Sequence, residues 1–428
     1  MAMTVELNGY TPIDPPSLSE MLRCTHCGMC LNQCPTYRTL GWEMDSPRGR
    51  IYLMRGVAEG RLGIDPMFAE HMDMCLACRA CQTACPANID FGKMVEAARW
   101  QVNQTIPKSR TEKVVRWAVF EQLFPHTGRL RLFAMLMMLY QRLGLQALAH
   151  RLHLIPVKLR DSERLLPRLP LRFTQLGKAY RADGQSRGRV ALLAGCIMGT
   201  AYAPVNAATI RVLARSGFEV DVPGKQICCG ALSVHAGERA IAKEMAKRNI
   251  DAFEAGGDTP ILVNAAGCGV AMKEYGDLLK DDPAWRERAE KFSSRVRDVA
   301  EFLDFVGIQP PTRVIAQRVT YQDPCHLAHG QGVRGQPRRL LQSIPGLKLV
   351  EMRNADHCCG SAGIYNITHP DVSMQVLDAK MENVSAAQPE IIVTANAGCM
   401  LQLQLGVQRA GLQAEVLHVM ELLDRAYE

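Results

Sequence analysis

No stretch of this 428-residue chain stays apolar for long enough to cross a bilayer, which takes about 20 residues of helix. The longest run, Leu132 to Tyr140, is nine residues held between Arg131 and Gln141, so an integral membrane protein is not expected. The N-terminal segment lacks a basic stretch leading into an apolar one, so no secretory signal is expected either. No phosphate-binding P-loop occurs. One G-x-G-x-x-G match, Gly330-Gln-Gly332-Val-Arg-Gly335, starts well past the preceding apolar strand, and its counterpart in an internal repeat has no such glycines. A nicotinamide or flavin site is therefore not expected. The composition, 47% hydrophobic and 22% charged, is that of a globular chain with room for roughly two to four domains.

The net charge of +7 is concentrated. Residues 151–190 hold ten Lys/Arg against three acids, which accounts for the whole excess. The remainder is neutral, and that argues against nucleic-acid binding. The strip reads first as a solvated basic linker. Its second reading is a docking strip for an acidic partner or an anionic membrane surface.

What the sequence has in excess is cysteine, 16 in all. They cluster as C-x-x-C and C-C, which suits thiolate binding of metal better than cross-linking of distant segments, and adjacent cysteines rarely bridge each other. A reducing, cytoplasmic setting is expected. Cys24-Thr-His-Cys27-Gly-Met-Cys30-Leu-Asn-Gln-Cys34-Pro35 reads C-x2-C-x2-C-x3-C-P, and Cys75 to Pro86 repeats that spacing. This is the ferredoxin run for 4Fe–4S clusters, in which the fourth cysteine serves the other cluster. The expected ligands are Cys24, Cys27, Cys30 and Cys85 for one cluster, and Cys75, Cys78, Cys81 and Cys34 for the second. Zinc is the alternative, but zinc knuckles do not need the third and fourth cysteines in register. His26 reads as a spacer, and Gly28 as the point where backbone approaches sulfide. Arg23 and Arg79, next to expected ligands, either balance cluster charge or are solvated.

Ile51 to Gly60 has helical periodicity. From Ile106 to Ile155 apolar residues recur at threes and fours, which predicts an amphipathic helical pair. Met135, Met137 and Met138 are expected to fill a core, with a membrane or partner face as the second reading. Pro156, Pro167 and Pro170 end the pattern.

The remaining eight cysteines form two matching sets: Cys196, Cys228, Cys229 and Cys268, then Cys325, Cys358, Cys359 and Cys399. Their offsets of 129, 130, 130 and 131 residues mean duplication. In each half, apolar strands (Val190 to Leu193, Phe218 to Val222 and Ile261 to Asn264; Val314 to Tyr321, Leu347 to Met352 and Ile391 to Thr394) alternate with helices (Ala207 to Ser216 and Glu238 to Ala255; Arg338 to Ser343 and Pro370 to Ala387). The strands deliver the cysteines at their C-terminal ends, where α/β folds place ligands. An iron–sulfur centre in one or both halves is the favoured reading. Zinc, redox-active dithiols at the C-C pairs and buried free thiols are the others. The fold expected is a multidomain α+β and α/β chain. Its parts are a helical ferredoxin-type two-cluster domain (1–105), a helical connector with basic linker (106–188), and two C-C-G domains (189–312 and 313–428).

The chain resembles the glycolate oxidase iron–sulfur subunit family. The resemblance is carried by the two ferredoxin runs and two C-C-G repeats, with S-P-R-G-R-I-Y-L-M at Ser46 to Met54, G-C-G-V-A-M-K-E-Y-G at Gly267 to Gly276, C-C-G-S-A-G-I-Y at Cys358 to Tyr365, T-H-P-D at Thr368 to Asp371 and T-A-N-A-G-C at Thr394 to Cys399. The C-C-G halves are similar to a wider group that includes the B subunit of heterodisulfide reductase, the C subunit of anaerobic glycerol-3-phosphate dehydrogenase and lactate-utilisation proteins. The resemblance implies two 4Fe–4S clusters on the ferredoxin cysteines, and electron transfer from FAD-binding 2-hydroxy-acid oxidase subunits that turn glycolate into glyoxylate. It implies a quinone or membrane electron-transport chain as acceptor, a peripheral place on the inner membrane face, and no substrate oxidation by this chain alone. No catalytic residue, nucleic acid or NAD is expected. The alternatives are a D-lactate or glycerol-3-phosphate dehydrogenase subunit, or a disulfide or quinone reductase acting at the C-C-G site. The heterodisulfide reductase pattern ends in C-x2-C; here Ala271 and Gln402 stand where its last cysteine would be, which argues against a noncubane double cluster.

Overall fold

Ser46 accepts the Gly49 N–H at 3.0 Å and Pro47 fills the first turn, so S-P-R-G-R opens a helix over Pro47–Ala58. That helix buries Ile51, Met54 and Val57 against Phe68 and Met72, and against Phe91, Met94 and Val95 of the helix Phe91–Thr105. Cys75 and Cys81 belong to this small core, and Cys24, Cys30 and Cys85 pack at its edge. The computed structural model describes residues 9–152 and 167–427. Pro156, Lys158, Arg160, Asp161, Glu163 and Arg164 of the expected linker lie outside the described residues.

Two sheets follow. The first is ordered β1-β3-β2-β4-β5, with β1 Lys178–Tyr180, β2 Gly188–Leu192, β3 Phe218–Val222, β4 Ile261–Val263 and β5 Val296–Asp298. The second is ordered β7-β6-β8-β9, with β6 Arg318–Tyr321, β7 Lys348–Leu349, β8 Ile391–Thr394 and β9 Glu415–His418. Leaving out β1, which pairs antiparallel with β3, both sheets are parallel and share one order: second, first, third, fourth. The expected duplication is thus a duplication of topology. The central strands are apolar and buried over most of their length, as strands covered on both faces must be.

The expected strand Val314 to Tyr321 begins only at Arg318, and Leu347 to Met352 shrinks to a two-residue edge strand. An edge position asks for little pairing. β5 and β9 escape a reading of apolar runs because V-R-D and E-V-L-H carry charge at their ends. Each runs straight into a helix with a capping box: Asp298 with Glu301 and His418 with Glu421.

The halves exchange walls. The helix Val299–Val306 of the first packs on Gly335–Gln342 of the second, and the last helix, Val419–Arg425, packs on Ala203–Arg215 of the first. Reciprocal ion pairs mark both contacts, Arg339 Nε to Asp304 at 2.8 Å and Arg211 Nε to Asp424 at 3.0 Å. One apolar core contains Val190 and Leu192 together with Val319, Tyr321, Leu422 and Leu423. The glycine-rich match serves packing here. A Cβ on Gly330 would lie 2.5 Å from Val270 Cγ2, so this glycine allows the halves to meet.

The connector comprises Arg110–Arg116, a wider π-helical stretch Trp117–Leu123, Thr127–Arg142 and Leu145–Arg151. The expected core role of its methionines is corrected. Thr127–Arg142 buries only Leu130 and Ala134, Met135 is exposed, and Met137 and Met138 are half-buried. Its middle, Leu132 to Tyr140, is apolar on every side yet only Ala134 there is buried, so Leu132, Phe133, Leu136 and Leu139 stand exposed. Among the described residues no helix is long and apolar enough to cross a membrane.

The two equivalent caps respond to pH in opposite senses. Burial pushes the Asp298 carboxyl up to about 7, so the native state keeps a proton that the unfolded chain releases near pH ~4. Its contribution to stability is present at low pH and is lost as pH climbs towards 7. Burial pulls His418 down to about 4, and that contribution is lost as pH falls. Asp298→Asn, which keeps a good cap, should stabilise the protein at pH ~7.5 by on the order of 1–3 kcal/mol relative to its effect at pH ~5. Denaturant melts at both pH values check this; equal effects would contradict it.

Candidate functional site

The first ferredoxin loop folds round a cavity lined by Cys24, Cys27, Cys30 and Cys85, with Pro47, Arg48 and Phe91 on its walls. A second cavity is lined by Cys34, Cys75 and Cys78 with Arg50. Cys81 lies on both walls. The loops take this shape through left-handed residues between the thiols: His26 at φ 55°, Gly28 at 85°, Ala77 at 50° and Arg79 at 63°. At Gly28 a side chain would strike Arg48, whose Nη1 donates to His26 O at 3.0 Å. At Ala77 the turned N–H points to Cys75 Sγ at 3.3 Å.

The two sets differ in exposure. Cys27 is exposed and Cys24, Cys30 and Cys85 are half-buried, whereas Cys34, Cys75, Cys78 and Cys81 are buried. Burial, reinforced by the Cys34 and Cys24 thiols, pushes Cys30 up to about 11. Cys78 and Cys81 are driven far above the ordinary thiol value by burial and then by neighbouring thiols. Such thiols ionise together only around a positive core, and that is the donor chemistry of an iron–sulfur cluster.

Arg50 lies beneath the buried set and is itself wholly buried. It donates to His71 O at 2.6 Å, Asp45 O at 2.5 Å and Asp45 Oδ1 at 3.1 Å. Thr36 Oγ1, 3.2 Å from Cys34 Sγ, accepts from the same guanidinium. The sequence reading passed over Arg50 as a functional side chain; its signal was the S-P-R-G-R token. Arg79 is buried and clamps Glu274 at 2.5 and 2.8 Å, so it joins domains and is not solvated. Arg23 is a surface residue paired with Glu20.

In the C-C-G halves the thiols follow the C-terminal ends of β2, β4, β6 and β8, as expected. Cys196, Cys228, Cys229 and Cys268 lie close enough to perturb one another's ionisation, and Cys325, Cys358, Cys359 and Cys399 do the same. All eight line a single chamber of about 450 Å³ between the halves. Gly230 and Gly360, at φ 81° and 91°, turn the chain immediately after each C-C pair. The surroundings differ. Behind the first set Asn249 Nδ2 donates to Cys228 O at 3.0 Å and Tyr275 to Cys229 O at 2.7 Å. Near the second set lies the buried Lys380, donating to Asn354 O at 2.7 Å; burial lowers its pKa while Cys359, Cys358 and Cys399 pull it up. Where a fifth cysteine would stand, Gln402 bonds Ser373 and Asn366, at 3.0 and 3.2 Å.

The ferredoxin unit meets the chamber directly. Cys78, Cys325 and Cys358 share one apolar cluster with Leu76 and Tyr365. His326 Nε2 donates to Ala77 O at 2.9 Å, and Arg99 donates to both Cys75 O and His235 O.

Residues 20–89 match a 4Fe–4S dicluster domain, residues 190–273 and 319–404 a cysteine-rich domain, and residues 111–166 the linker region of the glycolate oxidase iron–sulfur subunit. The probable glycolate oxidase iron–sulfur subunit of Bacillus subtilis (strain 168) is 42% identical, over 94% of this chain and 93% of its own. That of Escherichia coli (strain K12) is 34% identical over 96% and 95%. The chain belongs to the glycolate oxidase iron–sulfur subunit family. A fumarate reductase (CoM/CoB) polypeptide from Methanothermobacter marburgensis is 29% identical over 97% of this chain and 74% of its own. This glycolate oxidase iron–sulfur homologue is accordingly an iron–sulfur electron-transfer subunit with ferredoxin-type 4Fe–4S clusters and a duplicated C-C-G domain.

Arg50 can be tested apart from redox chemistry. Arg50→Met leaves the buried Asp45 carboxylate without its cation, and unfolding stability should fall by about 3–5 kcal/mol, with part restored by adding Asp45→Asn. A loss under ~1 kcal/mol in denaturant melts would reduce Arg50 to a space filler.

Proposed function

We propose that this chain carries electrons from an FAD-bearing partner, which oxidises glycolate to glyoxylate, to a quinone, and that it does not oxidise glycolate alone. The observation that carries the reading is the gradient of burial. The set with exposed Cys27 faces solvent, and the set with Cys78 abuts Cys325 and Cys358. On this reading Cys24, Cys27, Cys30 and Cys85 hold an outer cluster, and Cys34, Cys75, Cys78 and Cys81 an inner one. One or both C-C-G quartets hold a further centre, and the four units are 1–105, 106–188, 189–312 and 313–428. The clusters supply one-electron redox steps at fixed places. The polypeptide excludes water from the inner set and sets positive charge near it through Arg50 and Arg79.

The connector fits a cytoplasmic chain lying on the inner face of the membrane. Its exposed Leu132, Leu136, Leu139 and Leu143 adjoin Arg129 and Arg142, a pairing of apolar face and cationic rim suited to anionic lipid. Disulfide reduction is disfavoured, since Ala271 and Gln402 supply no thiolate.

Anaerobically purified chain should contain more than the ~8 irons of two cubanes if the C-C-G quartets are loaded, and Cys85→Ser should erase the outer cluster's paramagnetic signal while sparing the inner one. With its flavoprotein partner, glycolate should reduce the clusters faster than D-lactate or glycerol 3-phosphate; no reduction by glycolate would remove the substrate assignment. Leu136→Glu with Leu139→Glu should weaken sedimentation with anionic vesicles by roughly tenfold or more. Unchanged sedimentation would remove the membrane face.

A further inference from the structure

The two C-C-G quartets are alike in their thiols and unlike in what stands behind them. The helix Pro370–Ala387 of the second half corresponds to Arg239–Glu254 of the first. At positions 131 residues apart, the offset that also separates Cys268 from Cys399, the first carries Asn249 and the second Lys380. Asn249 is a neutral amide that accepts from the Ile227 N–H at 2.9 Å and donates to Cys228 O. Lys380 is 2% exposed. It donates to Asn354 O at 2.7 Å and to Ala355 O at 3.1 Å, in the loop that leads into Cys358. Among the described residues no carboxylate lies within ion-pair reach of it. Asp323, the acid that bears on it, is held in a fork by Arg338 at 2.8 Å on each oxygen. A buried ammonium needs an anion. The groups that act on Lys380 most, after its burial, are the Cys359, Cys358 and Cys399 thiols, and as thiolates round a centre they supply that anion. Among the described residues no Lys, Arg, Asp or Glu side chain lines the chamber itself, so no charge on that side offsets the difference between the halves.

The quartets differ also in their access to the ferredoxin unit. Cys325 is the thiol that acts most on Cys78, ahead of Cys75 and Cys34 of the inner set, and Cys358 feels Cys78 in turn. The three share one apolar cluster. Among the described residues no ferredoxin thiol joins the apolar cluster that contains Cys196, Cys228 and Cys229. Towards the first half the ferredoxin unit presents charge instead. Arg79 clamps Glu274 and lies 3.5 Å from Glu96, which accepts from His235 Nδ1 at 3.0 Å.

We propose that the second quartet is the one that exchanges electrons with the inner ferredoxin set, and that Lys380 is the positioning residue that holds its centre above any in the first quartet in reduction potential. This rests on the reading of the C-C-G cysteines as an iron–sulfur site and adds which half is used and what sets its potential. In the transfer one electron leaves the inner set's cluster, oxidising it, and reduces the second quartet's centre. No bond forms or breaks, and Lys380 keeps its proton. Reduction adds a negative charge to the site, and a fixed cation in a dry interior stabilises that charge more than it would in water. The amide of Asn249 gives the first quartet no such preference.

The test uses the anaerobically purified full chain and a redox titration followed by electron paramagnetic resonance. Cys359→Ala should delete one signal, which marks the second quartet. Lys380→Met should lower the midpoint of that signal by roughly tenfold or more in the reduction equilibrium, ~59 mV for one electron, and leave the ferredoxin signals in place. Lys380→Arg should retain the wild-type midpoint. Lys380→Gln, which can still donate to Asn354 O, serves in place of Lys380→Met should that variant not fold. In the fully reduced chain the inner cluster's signal should carry a magnetic splitting that disappears in Cys359→Ala and persists in Cys229→Ala. A midpoint unmoved by loss of the Lys380 charge would overturn the role of Lys380. A splitting that Cys359→Ala leaves unchanged would overturn the route through the second quartet. Iron at the ~8 atoms of two cubanes, with no third signal in the wild type, would overturn the reading of a C-C-G centre and this inference with it.

Discussion

The governing constraint is that thiols buried side by side do not ionise unaided. Each of the four quartets gathers thiols whose mutual repulsion and burial drive them towards the neutral form. A fold that holds thiols so, with left-handed turns placed at Gly28, Ala77, Gly230 and Gly360, suits a positive centre, and in the ferredoxin unit the dicluster match makes that centre 4Fe–4S clusters. Loop geometry, the buried Arg50 and the proline after each fourth ferredoxin cysteine all serve that end.

A second constraint is the join between the ferredoxin unit and the C-C-G domain. Arg79 and Arg99 both originate in the ferredoxin unit and both reach into the first C-C-G half, at Glu274 and at His235 O. Tyr365 of the second half returns a hydrogen bond to Met74 O at 3.0 Å. Buried charge paired across such a join tolerates little misalignment, because an unpaired charge there costs several kcal/mol. The inner thiols are therefore held in fixed register with those of the chamber.

Much of this was legible in the sequence. The ferredoxin spacing indicated which cysteines gather, the constant offset of the C-C-G sets announced a repeated topology, and the long helix Pro370–Ala387 and strands Phe218–Val222 and Ile391–Thr394 fall on the residues that their periodicity indicated. The edge strands β1, β5 and β9 did not show, since three or four residues that include a charge leave no apolar run, and the two-residue β7 was expected too long. The connector misled, because an apolar pattern reports that a surface is apolar and not whether anything covers it. Glu96 and His235 were invisible for another reason: they meet across 139 residues, whereas Arg50 left only its place in the S-P-R-G-R token.

The exchange of terminal helices between the repeats has an outcome of its own. Each repeat supplies the other with the helix that seals its sheet, and Asp304 and Asp424 anchor the exchange. A chain severed between the repeats would give two pieces, each with a bare flank. The duplicated modules are consequently one cooperative unit, and damage to either is transmitted to its twin.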